Sequence, residues 1–302
     1  MNKKAALLRK DRVTRVLTAD GRMRVAAVKN SQCARNAQQR HELDAASAAI
    51  LAQALAAATL LASFMKGEER VIVEASGAGA VQNVLAEAIQ VGEVRGYVHH
   101  RGVEGAAQDR RAPPLIGPGR FKVSRILYDH PAPSVGIVEL ASGDFAEQFG
   151  SYLSQSEQIP SAVRFEVTQD QDGNIVESAG VLVQVMPGWE STDPGLLQDM
   201  VAAVPSLCEV LAVERPAALL ERVVAAPFTI LADKRVDFFC RCSLQRFTRA
   251  LTALPLGDLE DMRKLGQNEL VCHFCNARYT ISDSDFDHLI ERIRKSAASV
   301  TN

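Results

Sequence analysis

The chain has 302 residues, 47% of them hydrophobic, and a formal net charge of −2 at neutral pH. This length allows two domains with a sizeable core, and the hydrophobic fraction is typical of a globular protein and not of a disordered one. The small net charge gives no global field that would attract nucleic acid or an anionic membrane surface. We therefore expect neither as a partner.

The N-terminal segment is predicted to begin with a β-hairpin over residues 12–29. Apolar residues recur on both sides of Asp20-Gly21, a dipeptide that favours a tight hairpin turn. A polar connection is expected over residues 30–40. The first forty residues are basic, so import into an organelle is an alternative to the cytoplasmic location that we expect, although the hairpin pattern explains the segment better.

Residues 45–65 form an uncharged stretch that is long enough to cross a bilayer. Alanine dominates this stretch, and polar residues such as Ser47, Gln53 and Thr59 interrupt it. A helix of this composition is more typical of a protein core than of a membrane span. We predict a long helix that is buried inside the protein.

Residues 71–187 are predicted to complete a mixed α/β domain. Gly77-Ala78-Gly79 predicts a tight turn into an amphipathic helix over residues 81–89; it is not a phosphate-binding loop, because the further glycine and lysine of nucleotide-binding motifs are missing. His99-His100 has no partner set for a metal and is expected in a solvated loop over residues 97–120. Strands and one further helix, over residues 143–158, follow. No catalytic constellation is visible, so we expect no enzyme activity.

Residues 188–232 differ in composition from what precedes them. Prolines recur about every eleven residues, at the positions Pro194, Pro205, Pro216 and Pro227, and apolar clusters lie between them. Each proline restarts or kinks a helix, and short helices are weak unless they dock against something else. We predict a metastable helical linker. The domains are then residues 1–187, residues 188–232 and residues 233–302.

Two tight cysteine pairs dominate the last segment: Cys240 with Cys242, and Cys272 with Cys275. Four converging thiolates suit the tetrahedral preference of Zn²⁺. The pairs, in a chain with six cysteines, also suit a reducing cytosol better than a secreted disulfide scaffold. We predict a small α+β zinc-binding domain that depends on its metal for much of its folding energy.

Other interpretations of these cysteines are a chance pairing, a thiol oxidoreductase or a zinc-ribbon protein that binds nucleic acid. An oxidoreductase would need its C-x-x-C in a thioredoxin-like βαβ setting, whereas this one comes late in a small domain. A nucleic-acid binder would need a basic face, but residues 233–302 have balanced charge. His273 is an alternative ligand to one of the sulfurs.

The cysteine pattern, together with two further stretches, resembles the redox-regulated heat-shock chaperonins of 33 kilodaltons. These stretches are Tyr-Leu-Ser-Gln-Ser-Glu-Gln-Ile-Pro at residues 152–160 and Gly-Val-Leu-Val-Gln-Val-Met-Pro at residues 180–187, and Val-Asp-Phe at residues 236–238 also agrees. The resemblance covers essentially the whole chain. The N-terminal stretch of residues 3–10 is more basic than the resemblance leads us to expect.

The resemblance implies a holdase chaperone that is inactive while its cysteines are reduced and bound to one Zn²⁺ per chain. It also implies that oxidants convert the cysteines to the disulfides Cys240–Cys242 and Cys272–Cys275, with loss of zinc and unfolding of the linker. The oxidised form would bind unfolding client proteins, tend to dimerise, and pass clients to ATP-dependent foldases. Cys33 and Cys208 lie outside the motif, and we expect them to be packing or incidental thiols.

Overall fold

The structure is a computed structural model that describes residues 10–100, 115–140, 144–189 and 193–300. It divides into two compact units, Met1–Phe239 and Cys240–Asn302. Helices and largely antiparallel sheets occur in the first unit, and a small sheet with helices occurs in the second, so the predicted α+β class is confirmed. The division of the chain at residues 187 and 232 stays a prediction.

The first sheet has five antiparallel strands in the order β10-β1-β2-β9-β8. Its strands are β1 (Arg12–Thr18), β2 (Met23–Lys29), β8 (Ser161–Gln169), β9 (Ile175–Val185) and β10 (Phe228–Arg235). The predicted N-terminal hairpin is β1–β2, with Val16 opposite Val25. β10 pairs with β1, so the predicted boundary after residue 232 falls inside a strand of this sheet.

The second sheet has six strands in the order β11-β5-β4-β3-β6-β7. They are β3 (Arg70–Gly77), β4 (Val81–Ile89), β5 (Glu93–His100), β6 (Gly119–Ile126), β7 (Ser134–Leu140) and β11 (Asp237–Phe238). All neighbouring strands are antiparallel except β11, which is parallel to β5.

The helix predicted over residues 81–89 is wrong, because this segment is strand β4. Its apolar residues are spaced in a way that fits a helix as well as a strand. The segment is a strand because it pairs with β3 on one side and β5 on the other. The turn at residues 77–79 therefore joins two strands. A Cβ atom on Gly77 would lie 2.3 Å from the carbonyl oxygen of Ile116, so close backbone packing explains this glycine.

His99 and His100 end strand β5 and do not lie in the predicted loop. Most of that loop, residues 101–114, lies outside the described residues. The connection predicted over residues 30–40 is also wrong, because helix α1 (Ser31–His41) occupies it. Most of the buried side chains of α1, among them Cys33, Ala34 and Ala37, are small and give only a weak apolar pattern in the sequence.

Helix α2 (Ala45–Ala62) contacts strands of both sheets and confirms the predicted buried helix. Asp44 caps it by accepting a hydrogen bond from the backbone N–H of Ser47 at 2.9 Å. Within the described ranges it is the one unbent helix long and apolar enough to cross a membrane, but 78% of it is buried inside the protein. Its apolar surface is therefore used by the core. Helix α3 (Phe145–Gln155) adds aromatic rings to the same core.

Three short helices cover the other face of the first sheet: α4 (Pro194–Ala202), α5 (Leu207–Val213) and α6 (Pro216–Val223). Pro194 and Pro216 begin their helices, as predicted from the proline spacing. The buried residues of these helices form a second apolar cluster with the sheet, separate from the cluster around α2. This second cluster comprises Val16, Val25, Ala27, Ala162, Ala179, Val181, Val183 and Val185 from the sheet, and Leu197, Val201, Val204, Leu207, Cys208, Leu211, Leu219, Leu220, Val223 and Val224 from the covering segment.

Candidate metal centre

The second cysteine pair lies in a hairpin formed by β12 (Glu269–Val271) and β13 (Arg278–Thr280). The backbone N–H of Cys272 donates to the carbonyl of Ala277 at 2.9 Å, which closes the turn. Within it, the N–H of Asn276 donates to the carbonyl of Cys272 at 2.7 Å, and Asn276 has a φ of 55°. Asparagine tolerates this left-handed conformation. The turn thus directs two cysteines to one side.

The first cysteine pair lies immediately before helix α7 (Leu244–Leu251). Ser243 caps this helix, because its hydroxyl accepts a hydrogen bond from the backbone N–H of Arg246 at 3.3 Å. Cys240 and Cys242 are half-buried, whereas Cys272 and Cys275 are buried. The remaining elements of this unit are α8 (Leu256–Lys264) and α9 (Asp283–Val300).

The four cysteine sulfurs converge, and all lie within 4.8 Å of one another. The Sγ atoms of Cys240 and Cys272 are 3.7 Å apart, and those of Cys242 and Cys275 are 3.4 Å apart. A regular tetrahedron with metal–sulfur bonds of 2.3 Å has sulfur–sulfur separations of about 3.8 Å. None of the four is in a disulfide. The residues therefore fit a metal ion in both donor type and spacing.

Tyr279 adds a polar contact that sequence reasoning missed. Its hydroxyl lies 3.2 Å from the Sγ atom of Cys242 and also donates to the carbonyl oxygen of Cys242 at 3.2 Å. Its ring packs against Phe247, with ring centroids 5.4 Å apart. The position of Tyr279 in the strand after the C-x-x-C turn was visible in the sequence, but nothing there indicated where its hydroxyl would point.

The thiols differ in acidity within this cluster. Burial opposes ionisation of Cys242, but hydrogen bonds from Tyr279 and the neighbouring thiols outweigh it and lower the pKa of Cys242. Burial raises the pKa of Cys272 and of Cys275. The contact with Cys242 raises the pKa of Tyr279 to about 12. Cys242 is thus the thiol of these three that its surroundings ionise most readily.

The apolar core beside the cysteines is small. Leu259, Ile281 and Phe286 are fully buried and form its centre, with partly buried residues around them. Such a core contributes little folding energy, so a metal held by the cysteines would contribute much of the stability of this unit.

The two remaining cysteines belong to the first unit. Cys33 is buried in the core around α2, and Cys208 is buried where α5 meets the first sheet. Burial raises the pKa of Cys33, and burial with the nearby Glu166 raises the pKa of Cys208 to about 12. Neutral, inaccessible thiols of this kind are unreactive, as expected for packing residues.

Comparison with known proteins agrees with the site. A sequence model of the family described as Hsp33 protein matches residues 11–282. The chain belongs to the Hsp33 family. The resemblance found in the cysteine spacing and the residue 152–160 stretch is thereby confirmed.

Individual members of the Hsp33 family match over almost their whole length. The 33 kDa chaperonin of Streptococcus gordonii is 30% identical over 289 residues, which cover 93% of this chain and 98% of that protein. The 33 kDa chaperonin of Streptococcus equi subsp. zooepidemicus is 31% identical over 286 residues, with coverages of 93% and 98%. The crystal structure of the 33 kDa chaperonin from Thermotoga maritima superposes with a TM-score of 0.82 at 28% identity, and covers 94% of this chain and 98% of that one. Membership of this family supports a chaperone role.

Proposed function

We propose that this protein is a redox-regulated holdase, a chaperone that binds unfolding proteins under oxidative and heat stress. The observation that carries the proposal is the four-sulfur cluster, in a small unit of a chain that belongs to a chaperonin family. The described residues show no arrangement that favours a zinc-ribbon nucleic-acid binder, and the balanced charge of residues 233–302 speaks against one.

In the reduced state, Cys240, Cys242, Cys272 and Cys275 would hold one Zn²⁺ per chain. Zinc is the metal that four thiolates in tetrahedral arrangement favour, and it would supply a structural cross-link between the two cysteine pairs and no redox chemistry. Tyr279 would keep Cys242 in position through its contacts with both the sulfur and the carbonyl of that residue.

Oxidation would then form the disulfides Cys240–Cys242 and Cys272–Cys275 and release the metal. Formation of each disulfide transfers two electrons from a pair of cysteine thiolates to an oxidant such as peroxide, which is reduced to water, and sulfur atoms joined in a disulfide are no longer thiolate ligands. The Sγ separations of 3.7 Å for Cys240–Cys272 and 3.4 Å for Cys242–Cys275 join cysteines of different pairs and do not select the disulfide partners, so the proposed pairing rests on the family resemblance. Mass spectrometry of peptides from the oxidised protein would identify the bonds.

Oxidation would expose a binding surface by unfolding the covering segment α4–α6. Its three helices are seven to nine residues long and dock on the first sheet through the second apolar cluster. Helices this short are unstable when undocked. The chain from α6 to Cys240 is short and consists mainly of β10 and β11, so unfolding of the zinc unit can loosen the segment through these strands.

We further propose that clients bind the exposed sheet face and the unfolded segment, that the oxidised protein can dimerise, and that clients pass to ATP-dependent foldases. The proposed location is the cytoplasm, with neither nucleic acid nor membrane as partner and no enzyme activity. Residues 1–187, 188–232 and 233–302 would act as core, linker and redox switch.

A light-scattering assay tests the proposed function. The oxidised, metal-free protein should suppress aggregation of a heat-denatured client at near-equimolar ratio, and the reduced, zinc-loaded protein should not. Equal protection by both forms would contradict the switch, and no protection by either form would contradict the chaperone function itself.

Replacing Tyr279 by phenylalanine should weaken zinc binding by about tenfold, because the hydroxyl that positions Cys242 is lost while the ring is kept. Competition with a chelator measures the affinity. Tyr97→Phe, at a tyrosine of the first unit, is the matched control and should leave the affinity unchanged. An unaltered affinity in Tyr279→Phe would show that the hydroxyl contributes nothing to the site.

A further inference from the structure

A cavity of about 400 Å³ lies in the first unit, beside the end of the buried helix α2. Leu61 and Phe64 line it from the helix end, and Arg24 and Gln184 line it from the first sheet. Arg125 lines it from β6 of the second sheet, and Leu127 follows the end of β6. Its volume falls within the range of small-molecule binding sites. The proposed chaperone cycle makes no use of this cavity.

Arg24 is held in a defined position at the wall of this cavity. Its Nε–H donates to the side-chain oxygen of Gln184 at 3.0 Å, and its guanidinium lies 4.4 Å from the ring centroid of Phe64. Among the residues that the structure describes, the two terminal nitrogens of Arg24 have no acceptor within hydrogen-bond distance. A half-buried guanidinium therefore presents unused donors beside an empty space.

Two acidic side chains of the lining, Glu157 and Glu69, are engaged by other groups. Glu157 forms an ion pair with Arg125 and accepts a hydrogen bond from the hydroxyl of Tyr152. Glu69 accepts from the backbone N–H of Lys66 at 2.9 Å and from that of Tyr128 at 3.4 Å.

The remaining ionisable side chains of the lining are Asp129, Lys66 and His130, and all three are exposed. Among the described residues Arg24 therefore forms no ion pair, although the charge of Glu157 acts on it.

The electrostatic surroundings of Arg24 also favour an anion in the cavity. Burial lowers the pKa of Arg24, and the positive charges of Arg125 and Arg15 lower it further, whereas Glu157 raises it. The Nε atom of Arg15 is itself buried without a hydrogen-bond partner among the described residues. Arginine nevertheless stays charged in proteins, so an anion placed beside Arg24 would be stabilised.

We propose that this cavity binds a small organic carboxylate, whose two oxygens accept hydrogen bonds from the terminal nitrogens of Arg24 and whose apolar part packs against Leu61, Phe64 and Leu127. The planar fork of a guanidinium matches a carboxylate in a bidentate arrangement. Gln184 and Phe64 already hold the guanidinium, so less conformational entropy is lost when a ligand binds.

Calorimetric titration of the reduced, full-length protein with benzoate at low ionic strength tests this proposal. Benzoate should bind saturably with one site per chain. Benzamide has the same shape without the charge and should bind at least about tenfold more weakly, as should benzoate to Arg24→Gln, because a hydrogen bond to a charged group is lost. Absence of saturable benzoate binding, or equal binding by Arg24→Gln, would overturn the proposal.

Arg22→Gln is the matched control, because Arg22 is an exposed arginine that stacks on Trp189 at 4.1 Å and does not line the cavity. It should bind benzoate as the unaltered protein does, and a tenfold loss there would refute the assignment to Arg24. Leu127→Trp keeps Arg24 and fills the cavity from the opposite wall, so it should also abolish binding. Undiminished binding in Leu127→Trp would place the ligand elsewhere, and this variant decides the proposal even if Arg24→Gln does not fold.

Discussion

Replacing Cys272 and Cys275 together by serine is expected to abolish stoichiometric zinc binding and to unfold residues 240–302. A serine hydroxyl is a poor zinc ligand, so two of the four sulfur donors are lost. Structural zinc contributes about 10–16 kcal/mol in small zinc-binding peptides, whereas the apolar centre of this unit consists of Leu259, Ile281 and Phe286. We therefore expect a metal bound by the cysteines to decide whether the unit is folded.

Elemental analysis should show zinc falling from one per chain to near zero, and circular dichroism should show loss of the helices α7, α8 and α9. Cys208→Ser is the control, because Cys208 is buried in the first unit and should leave the zinc content at one per chain. Unchanged zinc stoichiometry in the double variant would refute the ligand assignment.

Replacing Leu220 by aspartate is expected to activate the chaperone without oxidation. Leu220 lies in α6 and is fully buried against the first sheet. Loss of its side chain, together with a carboxylate placed in an apolar contact, costs about 3–5 kcal/mol. Three short helices docked through one apolar cluster have little stability of their own to offset this, so the covering segment should leave the sheet.

The reduced, zinc-loaded Leu220→Asp protein should suppress client aggregation about as well as the oxidised, unaltered protein does. It should also bind a fluorescent apolar dye, because Val16, Val25, Val181 and Val183 lose their cover. Leu196→Asp is the matched control, since Leu196 lies in α4 but is 52% exposed, and it should remain inactive until oxidised. A Leu220→Asp protein whose segment is protease-sensitive but which protects no client would show that undocking alone does not create the binding surface.

The two variants separate the two halves of the proposed mechanism. The cysteine variant removes the metal and tests whether the small unit depends on it. The Leu220 variant keeps the metal and tests whether the covering segment hides the binding surface. Activity in Leu220→Asp with one zinc still bound would show that undocking of the covering segment follows metal release in the sequence of events.

The two cysteine pairs that the fold brings together were recognisable in the sequence because the signal of each pair is local. Cysteine pairs separated by one and by two residues place their sulfurs together within a short turn, whatever the rest of the chain does. The proline spacing likewise predicted the helices that Pro194 and Pro216 begin, since proline fixes φ and suits the first helical position. The hairpin at Asp20-Gly21 and the uncharged helix that became α2 belong to the same class of local signal.

Only the tertiary structure decided the elements whose local pattern was ambiguous. Residues 81–89 fit a helix and a strand equally well, and long-range pairing with β3 and β5 made them β4. The direction of the Tyr279 hydroxyl and the position of the Arg24 guanidinium between Gln184 and Phe64 depend on residues that are distant in the sequence. The same holds for what the covering segment docks on: the sequence predicted helices that need a partner, and the fold supplied the apolar face of the first sheet, because a face is assembled from strands far apart in the chain.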